Sequence, residues 1–301
     1  MLNLILVFVY LFFGVSLQRF TFLPGNTVHM MNKYLIYVVL PAIAIRHIPA
    51  ITLSIELILP VVTVWVFFLA AWVIIEGIGR LSKWDKATIG CLVLTVGLSN
   101  TSFLGFPIID ALYGKEGLKI ALLVDQPGSF LLVSSLAIIV AAIYGENRLR
   151  KRDITKKIFK FPPFLFFILS LVMNIFNFEV GGMLKGLLDL IALTLTPIAL
   201  IAVGLQIKIK GKDLIQPPLI VGLGLSLVIA PGLVYVFLGF FLDFQDLIFQ
   251  VTVMEMAMPP MITASIIAVT YHLKPKLASL MVGVGIPLSM ITLLIWYWIL
   301  Q

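Results

Sequence analysis

The chain has 301 residues, 61% of them hydrophobic and only 12% charged. Soluble domains carry roughly 25% charged residues, so this composition, with a mean hydropathy of +1.14, excludes a water-soluble fold, a disordered chain and a collagen-like one. The single Cys91 excludes a disulfide scaffold. A formal charge of +7 does not point to nucleic acid, because residues 145–160 (GENRLRKRDITKKIFK) hold seven basic and two acidic side chains. Five of the seven net charges sit in this one basic loop of a polytopic membrane protein.

A hydrocarbon core about 30 Å thick needs about 20 apolar residues per helix, and each helix satisfies its own backbone there. In chain order the sequence offers ten such runs: 2–18, 33–47, 56–79, 86–113, 117–144, 162–178, 184–207, 213–242, 246–272 and 276–300. The first is expected to remain as a span, because it has no basic residue before it and no small-residue cleavage site. Lysine and arginine bias sets orientation. With the 145–160 loop in the cytoplasm, alternation assigns 17 basic residues to the inner ends and four (Arg46, Lys115, Lys119, Lys185) to the outer ends. Both termini then lie outside the cell membrane.

The halves resemble each other. Leu35–Ile45 aligns with Ile191–Ile201, proline on proline, at an offset of 156; Asp85 aligns with Asp243 and Tyr113 with Tyr271 at 158. A repeat of five spans re-enters the membrane from the opposite side, the inverted plan of many secondary transporters. The expected fold is therefore an all-α polytopic membrane protein of ten transmembrane helices in two inverted five-helix repeats. The repeats are 1–144 and 162–301, and the basic loop 145–161 joins them.

Spans four and nine are the irregular ones. The fourth contains Ser99-Asn100-Thr101-Ser102, then Gly105-Phe106-Pro107; the ninth contains Glu255-Met-Ala-Met258-Pro259-Pro260. Proline lacks a donor and clashes with the preceding turn, so each span is expected to break there. At 1.5 Å per residue, Asn100 lies about 22 Å from Asp85 and Met258 about 18 Å from Asp246, which sets both breaks near the bilayer midplane. The half-helices beginning near Pro107 and Pro260 would present free N–H groups and partial positive charge, a setting for an anion. The unwound carbonyls could instead hold a cation. One such proline alone is an ordinary packing kink; two at equivalent depth, one among Ser, Asn and Thr, read as a binding site.

Asn100-Thr101-x-x-x-Gly105-x-Pro107 with Ala111-Leu112-Tyr113-Gly114, together with Met258-Pro259-Pro260 and Leu40-Pro41-Ala42, resembles the auxin efflux carrier family. These are PIN-like membrane transport proteins with a fold like that of the bile-acid/sodium symporters. The resemblance covers nearly the whole chain. It implies that spans four and nine cross inside a mobile transport domain (spans 3–5 and 8–10), moving against a dimerising scaffold (spans 1, 2, 6 and 7) in an elevator-like manner. It also implies that Asn100 contacts the substrate. The loop of about 16 residues is too short for the large regulatory domain of the long plant members, and the family name does not make auxin the cargo.

Ionisable residues inside spans are functional suspects. Asp125, in Val124-Asp125-Gln126-Pro127-Gly128, and Glu255, one turn before Pro259, are candidates to couple transport to a proton or another ion. Either carboxylate could instead do no more than hydrogen-bond a broken backbone. Asp110, Asp189 and Glu76 lie closer to span ends and read as interfacial, and Arg46 with His47 as a membrane-edge anchor. The three histidines have no metal-ligand spacing, and no nucleophile elbow, P-loop or dinucleotide fingerprint is present. No metal, cofactor or enzymatic role is expected. Gly222, Gly224 and Ser226 read as small-residue helix packing.

The expected function is a carrier for a small organic anion, a carboxylate, held by Ser99, Asn100, Thr101, Ser102, Pro107, Met258, Pro259 and Pro260. A homodimer and contact with membrane lipid follow from the same reading. The alternatives are a sodium-coupled organic anion symporter of the bile-acid type and, more distantly, a channel.

Overall fold

The computed structural model describes residues 2–19, 23–51, 54–145, 162–178, 180–207 and 216–301. Most of the basic loop, and Lys208, Lys210 and Lys212, lie outside the described residues. The described chain is all-helical. Its segments are α1 (Leu2–Leu17), α2 (Thr27–Ala50), α3 (Ile55–Leu81), α4 (Lys86–Gly97), α5 (Thr101–Tyr144), α6 (Pro162–Ile175), α7 (Gly182–Gln206), α8 (Pro217–Leu238), α9 (Leu247–Met256), α10 (Ile262–Thr270) and α11 (Pro275–Leu300). Six of these, α2, α3, α5, α7, α8 and α11, are long and apolar enough to cross a bilayer. The predicted fourth and fifth spans share α5, which turns at Gly114 with φ 65°, a conformation that suits a residue without a Cβ.

Prolines inside these helices do not stop them. Wide π turns at Leu35–Val39, Thr101–Gly105 and Leu225–Ile229 each end two residues before a proline (Pro41, Pro107, Pro231), and a fourth, Val124–Phe130, contains Pro127. The wider turn leaves room for the pyrrolidine ring that would otherwise strike the preceding carbonyl. The expectation that a half-helix starts near Pro107 is thereby corrected. The helix starts at Thr101, and the break lies at Leu98–Asn100, where the backbone is extended or irregular. In the second half the break falls at the prolines, between Met256 and Ile262.

Close helix contacts rest on glycine. Gly14 of α1 and Gly204 of α7 meet backbone to backbone, and Gln18 Nε2 donates to the carbonyls of Gly204 (2.7 Å) and Ile207 (2.8 Å). Gly222 sits against Met281 and Leu92 as small-residue packing requires, whereas Gly224 faces open space. The suspects at the span ends are in ion pairs: Arg46–Asp189 (2.6 Å), Lys115–Asp110 (2.7 Å) and Arg80–Glu76 (2.7 Å). His47 is buried and its Nε2 has no partner.

Asp85 caps α4 by accepting from Thr88 N (2.8 Å) and pairs with Lys274 Nζ (2.6 Å), tying the starts of α4 and α11 together. Partial burial pushes the Asp85 carboxyl up, but the Lys274 and Thr88 bonds outweigh it and hold it below the usual carboxylate range. Its stabilising contribution is therefore present above the unfolded-state pKa and lost as pH falls through the lowered folded value. Asp85→Ala is expected to cost about 1 kcal/mol as a lost cap. Thermal unfolding of mutant and wild type should converge in acid.

Candidate functional site

The two breaks meet. Asn100 N donates to Pro259 O (2.8 Å), Met261 N donates to Leu98 O (2.8 Å), and Ser99 pairs with Pro260 as an isolated antiparallel bridge. Ser99 Oγ adds a bond to Met256 O (3.3 Å). Each interrupted helix leaves orphan backbone groups that cannot stay unpaired when buried, and here each break supplies the other's partners. The crossing is thus fixed chiefly by backbone hydrogen bonds, and the Asn100 amide nitrogen is left without a partner.

Behind the crossing lies a buried polar group. Asp125 Oδ1 accepts from Thr101 Oγ1 (2.6 Å) and Ser102 Oγ (2.5 Å), and Oδ2 accepts from Gln126 Nε2 (2.6 Å). The π turn at Val124–Phe130 aims Asp125 and Gln126 at the α5 start. Trp65 of α3 braces that turn by donating Nε1 to Pro127 O (3.0 Å). Glu255 differs from Asp125. It is 0% exposed, neither carboxylate oxygen has a hydrogen-bond partner, and its carboxyl lies directly on Gly105. The glycine of the Asn-Thr-x-x-x-Gly-x-Pro run is therefore the floor on which the other broken helix rests its acid.

A cavity of about 450 Å³ opens beside the crossing. Its walls come from α2 (Ile36, Leu40), from α5 between Ser102 and Ile138, from α10 between Ile262 and Thr270, and from Tyr271 just after it. Asn100, Ser102 and Asp125 line it, and the Asn100 amide, 2% exposed, has its Nδ2 unpartnered. The first turns of α5 and α10, whose leading N–H groups have no intrahelical acceptor, both end at this cavity through Ser102, Phe103, Ile262 and Thr263.

Ser99, Thr101, Met258, Pro259, Pro260 and Glu255 are buried beside the cavity without lining it, and Pro107 sits inside α5, also off the lining. Gln126, Phe103 and Met261 line the cavity and were not singled out from the sequence. Gln126 carried a usable signal, a second polar residue beside Asp125 within a span. Thr263, Ile266, Ile267 and Thr270, also lining residues, carried another, since their spacing puts them on one helix face. Among the described residues no group of three or more His, Cys, Asp or Glu could hold a metal ion.

Long apolar helices, two interrupted helices joined at their breaks and a largely apolar cavity with polar side chains at the junction describe a multi-pass membrane protein of the transporter class. The chain belongs to the membrane transport protein family, that of the auxin efflux carriers, whose profile matches residues 1–297; it is a family of transporters, not enzymes. An uncharacterised transporter of Methanothermobacter thermautotrophicus is 30% identical over 211 residues, which span 68% of this chain and 66% of the relative, just under two thirds of its length. An uncharacterised transporter of Methanocaldococcus jannaschii is 25% identical over 98% of this chain and 97% of its own.

Proposed function

We propose that this protein is a secondary carrier for a small organic anion, a carboxylate, moved by alternating access through the cavity at the crossing. The observation that carries this is the convergence of two helix N-termini and the unpartnered Asn100 amide on one cavity. Asn100 and Ser102 would contact the anion. Ser99, Thr101, Met258, Pro259 and Pro260 would hold the crossing that positions them, and Pro107 the first turns of α5.

In this reading the chain makes ten crossings as two inverted repeats, 1–144 and 162–301. The scaffold is α1, α2, α6 and α7, and the mobile unit is α3–α5 with α8–α11. The pairs Asp85–Lys274, Gln18–Gly204, Arg46–Asp189 and Gln250–Leu300 each join ends that such a path assigns to one side. Both termini would lie outside and the 145–160 loop inside. The cavity lining reaches Tyr271, on the side assigned to the cytoplasm, so the molecule would face inward. The scaffold would pair two copies in a homodimer amid membrane lipid.

Asp125 or Glu255 would couple the anion to a proton. A sodium-coupled symporter is the second reading, favoured by the unpartnered oxygens of Glu255 and Gln126, which suit a hard cation. Purified protein should be thermally stabilised by at least one anion from a panel of carboxylates. Asn100→Ala should weaken that anion about tenfold or more, the cost of a lost hydrogen bond to a charged group. No stabilisation by any anion, with no counterflow in proteoliposomes, overturns the carrier reading. Asp125→Asn and Glu255→Gln are expected to retain binding, and one of them to lose pH-dependent uptake. Unchanged pH dependence in both, with sodium-dependent uptake, selects the second reading.

A further inference from the structure

The outward side of α3 ends in a groove that carries a charge clamp. Exposed positions recur along this helix at Val62, Val66, Leu69, Val73, Gly77 and Arg80, the three-and-four spacing of one helix face. The face is apolar until its last turn. Gly77 notches it, since nothing lies within 4 Å of where a Cβ would stand. A groove of about 480 Å³ follows the notch, lined by Leu69, Trp72, Val73, Glu76, Gly77 and Arg80.

The polar end of the groove is fixed from behind. Arg80 Nε donates to Glu76 Oε1 (2.7 Å), Tyr144 Oη donates to Glu76 Oε2, and Trp72 Nε1 donates to Tyr144 Oη (3.0 Å). Both carboxylate oxygens are thus taken. Among the described residues nothing accepts from the Arg80 Nη atoms, on a side chain that is 76% exposed. A guanidinium held at Nε offers its remaining N–H groups as a fork, a geometry that takes a phosphate. Lys83 N donates to Arg80 O (3.2 Å) where the chain turns back, and Lys86 is near enough for its charge to act on Glu76. Three cations thus stand against one carboxylate, an excess that favours an anionic headgroup. From Leu69 to Arg80 the groove runs about 17 Å at 1.5 Å per residue, close to one leaflet's share of a core about 30 Å thick. Apolar along one leaflet and cationic at its edge, the groove has the polarity of a phospholipid.

We infer that this groove binds one anionic phospholipid, its phosphate on Arg80 and an acyl chain over Gly77, in the leaflet that the orientation above makes cytoplasmic. None of its lining residues borders the cavity at the crossing, so the site does not depend on which cargo is carried. The test uses the full chain in detergent micelles and reads thermal stability on addition of phosphatidylglycerol, phosphatidylcholine or glycerol 3-phosphate. Phosphatidylglycerol should stabilise at concentrations about tenfold or more below those that phosphatidylcholine requires, and glycerol 3-phosphate should not stabilise at all. Arg80→Gln should remove that preference, because hydrogen bonds between charged groups are worth about tenfold or more in affinity. Gly77→Leu, which projects into open space, should weaken both lipids without lowering stability in their absence. Arg148→Gln with Lys151→Gln, in the basic loop, should leave the preference intact. If Arg80→Gln does not fold, the phosphatidylglycerol retained in native mass spectrometry by wild type and by Gly77→Leu decides. Equal response to the two lipids, or glycerol 3-phosphate as effective as phosphatidylglycerol, overturns the inference. So does a preference that survives both Arg80→Gln and Gly77→Leu, or one that is lost in the loop variant alone.

Discussion

Gly204→Val is expected to force α1 away from α7 and to produce the largest loss of stability of any single glycine substitution between these helices. A Cβ at Gly204 would strike Leu11 O and lie 2.9 Å from both Gly14 Cα and Val15 N. One at Gly14 would meet Ile201 O and lie 2.9 Å from Ile201 Cα. All of these are backbone atoms, so no rotamer change relieves the clash and the helices must separate. Separation also removes both Gln18 bonds to α7. Overpacking commonly costs about 1–3 kcal/mol and sometimes more, and this site belongs at the upper end. Gly77→Ala is the control, since nothing lies within 4 Å of it and alanine suits a helix better than glycine. Thermal unfolding in detergent should rank Gly204→Val and Gly14→Val far below wild type and Gly77→Ala level with it. The two valines should be less than additive, because once the helices part the second has little left to disrupt. Equal stability of all three proteins would mean the α1–α7 contact is not formed.

The second large effect is expected at Gly105. An added methyl would meet both Glu255 oxygens and approach Cδ at 2.9 Å. The carboxyl is the end of a flexible side chain, but Glu255 is wholly buried, so it has no solvent into which to swing. Gly105→Ala should therefore destabilise by about 1–3 kcal/mol and disturb the crossing enough to abolish uptake. Glu255→Ala removes the obstacle, and the added methyl partly refills the space. The double variant should thus be more stable than the sum of the singles predicts, with a coupling of about 0.5–3 kcal/mol. Strict additivity in thermal unfolding would place Gly105 and Glu255 apart. Recovered stability without recovered uptake would assign Glu255 a part in transport beyond its part in packing.

These two sites mark the boundary of what the sequence could say. The apolar runs were legible because a bilayer demands long apolar helices whatever their neighbours are. Both interruptions were legible because proline and the Ser-Asn-Thr run are local chemistry. Asn100 was legible for the same reason, as was the suspicion attached to Asp125 and Glu255, since a carboxylate within an apolar span is conspicuous without any knowledge of its surroundings. Whether span four breaks at its Ser-Asn run or at Pro107 was not legible. Proline forbids a regular α-turn but not a π turn, and the choice between breaking and widening depends on what can receive the orphan backbone groups. At Leu98–Asn100 the receivers are Pro259 and Met261, more than 150 positions along the chain. The division of labour between the acids was hidden likewise. Asp125 gained Thr101, Ser102 and a cavity, while Glu255 gained the bare face of Gly105. The sequence by itself determined that this is a membrane protein with two weak points in its helices, because solvent and backbone chemistry act locally. Only the tertiary structure decided that the weak points complete each other and border one cavity, because hydrogen bonds and close contacts form between residues that are distant in the chain.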